Sequence, residues 1–227
     1  MSKHTLSLLQ DAEGNHCSSF PAALLRLVQE GAQLAQSDTM SPPGLIDYAQ
    51  KQTSDLLLEA GAFDPRGWAE ALRARSPEDD HANREHIAFA HRAAVCIYLS
   101  RVLLTINSDV HMTHDLEALV TDVVYHLSFV HPGDALLTAS TWPAFIAGAE
   151  TRSLARQQWI SNRFQELWDV EPWGLFRGGL EVLKGIWERR AQGLHVDAVE
   201  LSASSADSKK SNWLLDLRSA GVEWLII

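Results

Sequence analysis

The sequence predicts an all-α protein: a single irregular multi-helix domain, residues 1–227, built around one long central helix. Three observations predict it. Apolar residues recur at spacings of three and four along most of the chain. Runs with strand character are nearly absent. Prolines beside Ser or Asp punctuate the chain at points suited to a first helical turn. With 227 residues, 46% apolar and 21% charged, the chain can bury a sizeable core.

The elements follow in order. Ser19–Phe20–Pro21 opens a first helix with an apolar stripe of Leu24, Leu27, Val28 and Leu34. Ser41–Pro42–Pro43 opens a second, striped by Leu45, Tyr48, Ala49, Leu56 and Ala60 and stopping at Gly61. Asp64–Pro65 opens a third, completing an N-terminal part over 1–76. The body, 77–227, begins at Ser76–Pro77–Glu78–Asp79 with acidic residues that suit a positive helix N-terminus. It then turns apolar nearly all round through Ala93–Leu99 and Val102–Leu104, as a helix covered on several sides must. A further helix runs from about Asp115 to Phe129 and is closed by His131–Pro132–Gly133–Asp134. Asp134 caps the next, through Trp142–Pro143 towards Glu150, where the proline should kink or break it. A long segment from Thr151 to Asp169 leads to a turn at Glu171–Pro172–Trp173–Gly174 and a helix to about Arg190. Inside that helix Gly178–Gly179 costs about 2 kcal/mol against alanine and predicts a close helix contact or a kink. The polar stretch near 202–211 reads as a mobile loop, and the apolar end Val222–Ile227 should dock on the body.

Charge and composition exclude several classes. Twenty-nine acidic against nineteen basic residues give a net charge of -10, which repels phosphate backbones, so no direct nucleic-acid binding is expected. Two cysteines, Cys17 and Cys96, cannot make a disulfide framework or a cysteine zinc site. No apolar run reads as approaching the roughly 20 residues of a membrane span. The start, Met1 to Thr5, lacks a signal peptide's apolar stretch, so a cytoplasmic location is expected. There is no Gly-rich phosphate loop with its lysine and no nucleophile elbow, which disfavours phosphoryl transfer, serine hydrolysis and nicotinamide chemistry.

Ten histidines raise the question of a metal. His111 and His114 are three apart beside Asp115 but have no third ligand at diagnostic spacing, and read as a polar loop with a capping Asp. Asp79, Asp80 and Asn83 approximate the aspartate-rich run of metal-dependent terpene cyclases, yet Asn107–Ser108–Asp109 lacks the second set; an acidic first turn is the simpler reading. No metal and no cofactor are therefore expected. Asp122 and His126, four apart on one face, form either a local pair or an oriented general base. Eight Trp stand against three Tyr, and Trp142, Trp159, Trp168, Trp173 and Trp187 fall in one stretch with Phe145, Phe164 and Phe176. Singly each reads as core. As a set beside a broken helix and a Gly pair they read as walls of an apolar cavity, anchored by His91, Tyr98, Arg101 or His126.

The stretch Thr141 to Glu150, TWPAFIAGAE, resembles the signature of the regulatory domain of fungal-specific transcription factors, in the acriflavine-sensitivity-control subgroup. Ala93–Leu99, His126–Val130 with Pro132–Gly133–Asp134, Glu166–Asp169 through Pro172–Gly174, Leu183–Trp187, and Asn212–Leu214 to Trp224–Ile227 fit the same pattern in order. The resemblance covers roughly residues 80 to 227. It implies a helical ligand-sensing domain, usually carried behind a DNA-binding zinc cluster, and a nuclear location in that role. The six-cysteine cluster and its basic flank are absent from this sequence and the upstream helical part is shortened. The expectation is thus an excised regulatory domain or a standalone protein. Standalone relatives in fungal biosynthetic clusters are expected to include cyclisation catalysts such as the norbornene-forming Diels–Alderase of sordarin-type pathways.

That line leads to a first expectation of a cofactor-independent pericyclase of Diels–Alder type, folding an apolar terpenoid intermediate into a near-attack shape. Tyr98, His126, His91 and Arg101 would be its catalytic donors, stabilising charge on an activating carbonyl. Trp142, Phe145, Trp173, Trp187 and Phe129 would bind the substrate. The partner is then an apolar small molecule, and a homodimer is left open. The alternative is a non-catalytic ligand-sensing or transcription-regulatory domain.

Overall fold

Pro21 precedes helix α1 (Ala22–Ala35), which buries Leu24, Leu27 and Val28. The orphan N–H of Ala22 is satisfied from a distance by the Glu13 carboxylate at 2.7 Å, a cap no local pattern could show. Throughout, the computed structural model describes residues 13, 19–36, 43–75, 82–110, 115–199 and 212–222, and among these the fold is all-α, with no strand. Cys17, Glu78 to His81, His111 to His114, the stretch 202–211 and the end 223–227 lie outside the described residues.

Helix α2 (Pro43–Ala62) buries Ala49, Leu56, Leu57 and Ala60, but Leu45 and Tyr48 are 55% and 58% exposed. The expected stripe therefore holds from Ala49 onward and fails in the first turns of the helix. Gly61 is no stop, since the helix includes it. Helix α3 (Pro65–Arg75) starts as expected, with Asp64 Oδ1 accepting the Arg66 N–H at 3.1 Å.

Helix α4 (Arg84–Ile106) is the central one, buried on nearly every side from Ile87 to Leu103. It corrects one expectation. Its 23 residues make it long and apolar enough to cross a membrane, yet most of it is buried inside the protein. Arg92 and Arg101 interrupt the run and hid it, while both have long stems that suit an apolar environment. α4 packs on α1, α2 and α3 before it and on α5, α6 and α9 after it.

Helix α5 (Leu116–Leu127) is capped by Asp115, whose Oδ1 accepts from Glu117 and Ala118 N–H at 3.0 and 3.3 Å. Asp134 caps a turn, accepting the Leu136 N–H at 2.8 Å, and a short 3-10 turn (Leu137–Ser140) intervenes before α6 (Thr141–Glu150). Pro143 thus sits in the first turn of α6, where a missing N–H is harmless, and neither breaks nor kinks a helix. Helix α7 (Leu154–Val170) follows, then α8 (Gly174–Val199), longer than expected and continuous across Gly178–Gly179. A Cβ on Gly179 would lie 3.1 Å from the Phe164 ring, so the close α7–α8 contact is real, whereas Gly178 faces open space. Helix α9 (Trp213–Ser219) buries Trp213, Leu214 and Leu217. Asn212 ties it to α4 by donating to the Arg101 carbonyl at 3.2 Å and to Thr105 Oγ1 at 2.8 Å.

Candidate functional site

The signature helix α6 is buried from Pro143 to Glu150. A buried helix end leaves carbonyls that need donors. Here α8 supplies them. Arg190 donates to the carbonyls of Ala149 at 2.5 Å and of Glu150 and Thr151 at 3.3 Å, and the Trp187 indole donates to the Gly148 carbonyl at 2.9 Å. The Glu150 side chain, 6% exposed, receives Arg101 of α4 through two bonds of 2.7 and 2.6 Å, and the Trp213 indole N–H of α9 at 2.9 Å. One carboxylate therefore joins α4, α6 and α9. A bidentate pair of this kind is tolerated in a dry interior because its donors and acceptors are matched.

The other residues singled out from sequence lie apart. His91 is buried, and its Nδ1 donates to the Ile87 carbonyl at 2.9 Å, fixing the tautomer. Phe20 meets the ring at a centroid distance of 4.2 Å, and Trp142 lies parallel to it at 6.2 Å. Burial pushes the imidazole down to about 4. Tyr98 is buried beside Gly31, and burial pushes its phenol up to about 12. Phe145 is buried against the Gly179 contact, and Trp173 is 47% exposed at the corner between α7 and α8.

His126 and Phe129 belong to a half-buried cluster where the end of α5 meets the start of α4. His126 Nδ1 faces His86 Nδ1 at 2.9 Å, and the ring centroids are 5.2 Å apart. That separation is close to the nitrogen distance plus one ring radius at each end, so the nitrogens meet head-on, as in an N–H···N bond rather than around a shared ion. His86 stacks on Phe129 at 4.1 Å, Phe89 on His126 at 4.5 Å, and Arg92 lies over Phe89 at 4.9 Å. Burial, then the charges of His86 and Arg92, push His126 down to about 4. It is accordingly a weak base near neutrality. The expected Asp122–His126 pair is not formed through Nδ1; Asp122 is exposed.

Structure thus places His91 beside Trp142, Phe129 near His126, and Arg101 and Trp187 around Glu150, as separate groupings among the described residues. A described cavity of about 210 Å³ lies between α1 and α2, lined by Leu24, Leu27, Glu59 and Phe63 among others, and by none of the site residues expected from sequence. Sequence reasoning missed Glu150, Trp213, Arg190 and His86; only the position of Glu150 at the end of the signature block could have drawn attention to it. Asn83, read with the acidic run, donates to Asp134 at 2.6 Å.

Comparison with known proteins gives these arrangements a context. The sequence model of the fungal specific transcription factor domain matches residues 46–217, from within α2 to within α9. The chain is 29% identical over 229 residues to the acriflavine sensitivity control protein acr-2 of Neurospora crassa, covering 97% of this chain and 36% of that protein. It therefore spans about a third of the length of the curated relative it matches. No solved structure matches. These similarities overturn the expectation of a terpenoid pericyclase, and of an enzyme at all: the matched family is one of transcription factors, and the relative is a control protein. The cytoplasmic expectation gains no support from them.

Proposed function

This chain belongs to the fungal specific transcription factor domain family, and from that membership we propose that it is a non-catalytic regulatory domain working in the nucleus. The observation that carries the reading is the family match running from α2 into α9, a span that includes α4 and the three helices joined at Glu150. A signature helix tied from three sides is a rigid frame, and a regulatory domain acts through what such a frame presents at its surface. Control of acriflavine sensitivity is named for the Neurospora relative; for this chain we carry over only the controlling role. Whether the input is an apolar ligand or a protein, the exposed positions among the residues first chosen, Phe129 and Trp173, are the ones able to meet it.

The test is transcriptional. Fused to a heterologous DNA-binding domain in a fungal reporter strain, the chain should change reporter output several-fold relative to the DNA-binding domain alone. Equal output from both, with the fusion shown to be folded and nuclear, refutes the proposal.

A further inference from the structure

The corner between α7 and α8 shows an unusual run of exposed apolar side chains. Val170, Trp173 and Leu175 are 48%, 47% and 41% exposed, with Pro172 exposed among them. We infer that this corner is a docking surface for a partner protein presenting basic and apolar residues along one segment. The indole of Trp173 is held ready: it stacks on the buried Phe176 at 5.6 Å, and its backbone N–H donates to the Glu171 carbonyl at 2.7 Å. A ring already fixed loses little freedom on binding. Beside it the Arg177 guanidinium lies 3.6 Å over the Trp168 ring. Trp and Arg held in this way are the residues that anchor interfaces, and contiguous exposed apolar patches mark interaction sites.

Charge identifies the occupant. Asp169 accepts from the neutral amide of Gln165 at 2.7 Å. Glu171 Oε2 is shielded from water and has no hydrogen-bond partner among the described residues. Asp169 is exposed and Glu171 half-buried, so the corner offers negative charge to an arriving cation. The corner carries two carboxylates, Asp169 and Glu171, and one guanidinium, Arg177, on a chain of net charge -10. A second copy would bring the same acidic corner and be repelled, so the partner is a basic one and not this chain itself. The inference rests on this surface alone, and the reporter experiment can succeed or fail independently of it.

The probe is a fluorescent amphipathic helix of Leu and Lys, compared with one in which Glu replaces every Lys. The full chain should bind the Lys peptide, more weakly at higher salt, and not the Glu peptide. W173A, and the near-isosteric double variant D169N/E171Q, should each weaken binding about tenfold or more, the scale of a lost anchor. D47N/D55N, which removes the same two charges from exposed positions of α2, should stay within about twofold, since α2 has no substantial packing with α7 or α8 and exposed charges outside the contact are screened. Circular dichroism checks that W173A folds; D169N/E171Q decides if it does not. No binding by the wild type, equal binding of both peptides, or equal weakening by the two double variants overturns the inference. So does a dimer of this chain that D169N/E171Q dissociates.

Discussion

Replacing Glu150 by Ala should be among the most damaging single changes in this protein. The carboxylate is 6% exposed, and its removal takes an acceptor from two donors at once: the Arg101 guanidinium, also 6% exposed, and the indole N–H of the fully buried Trp213. Breaking a buried ion pair from one side costs about 3–5 kcal/mol. An orphaned buried N–H costs about 1–3 kcal/mol. Both share one carboxylate, so the terms do not simply add, and a loss of about 4–6 kcal/mol is expected. Against a total of about 5–15 kcal/mol for a typical protein, E150A would stand near the edge of unfolding. Urea titration followed by far-UV circular dichroism measures this directly. The double variant R101L/E150L removes both charges and should recover more than half the loss, leaving the indole N–H as the remaining defect. A loss below about 1 kcal/mol in E150A, or a double variant no better than E150A, would refute the idea that Glu150 is the junction of α4, α6 and α9.

His91 has its folded pKa lowered to about 4 from an ordinary 6.5, so stability is full above pH 6.5. It is lost as pH falls from 6.5 to about 4, because only the unfolded chain then takes up the proton. At 1.36 kcal/mol per unit the His91 share of the loss is about 3 kcal/mol, and H91F should make that part of a urea-midpoint-versus-pH curve shallower while His126 keeps its own share; identical curves would speak against it. G148A should destabilise by about 1–3 kcal/mol, since a Cβ there meets Leu183 Cδ1 at 2.9 Å and Ile160 Cγ2 at 3.1 Å. G178A, with nothing within 4 Å, should stabilise the helix by about 1 kcal/mol. Paired thermal melts of the two glycine variants check both signs together.

Much of the fold could be read from local pattern, because α4 is apolar on all sides and Asp115 and Asp64 cap the helices they precede. Leu45 and Tyr48 misled because spacing alone does not say how far the core reaches along a helix. Pro143 misled for a related reason: a proline interrupts a helix only if the helix began earlier, and the 3-10 turn before it was invisible in sequence. The site was far less legible. Glu150 finds Arg101 49 residues away and Trp213 63 residues away, and His126 faces His86 instead of its near neighbour Asp122. Composition counted the tryptophans but could not orient them; Trp213 is buried on Glu150 while Trp173 faces solvent.

The all-round apolarity of α4 has a consequence for how this chain can be handled. A helix long and apolar enough to enter a bilayer is safe in water only while its neighbours stay in place. During synthesis α1 to α3 emerge first and can cover one side of α4 before α5 and α6 exist to cover the other. The family match begins at residue 46, already inside α2. A chain cut to that boundary would lose α1 with Leu24, Leu27 and Val28, and lay bare a strip of α4 around Gly31's neighbours Tyr98 and Leu99. Such a fragment should aggregate or partition into membranes even though every residue of the recognised family segment is present.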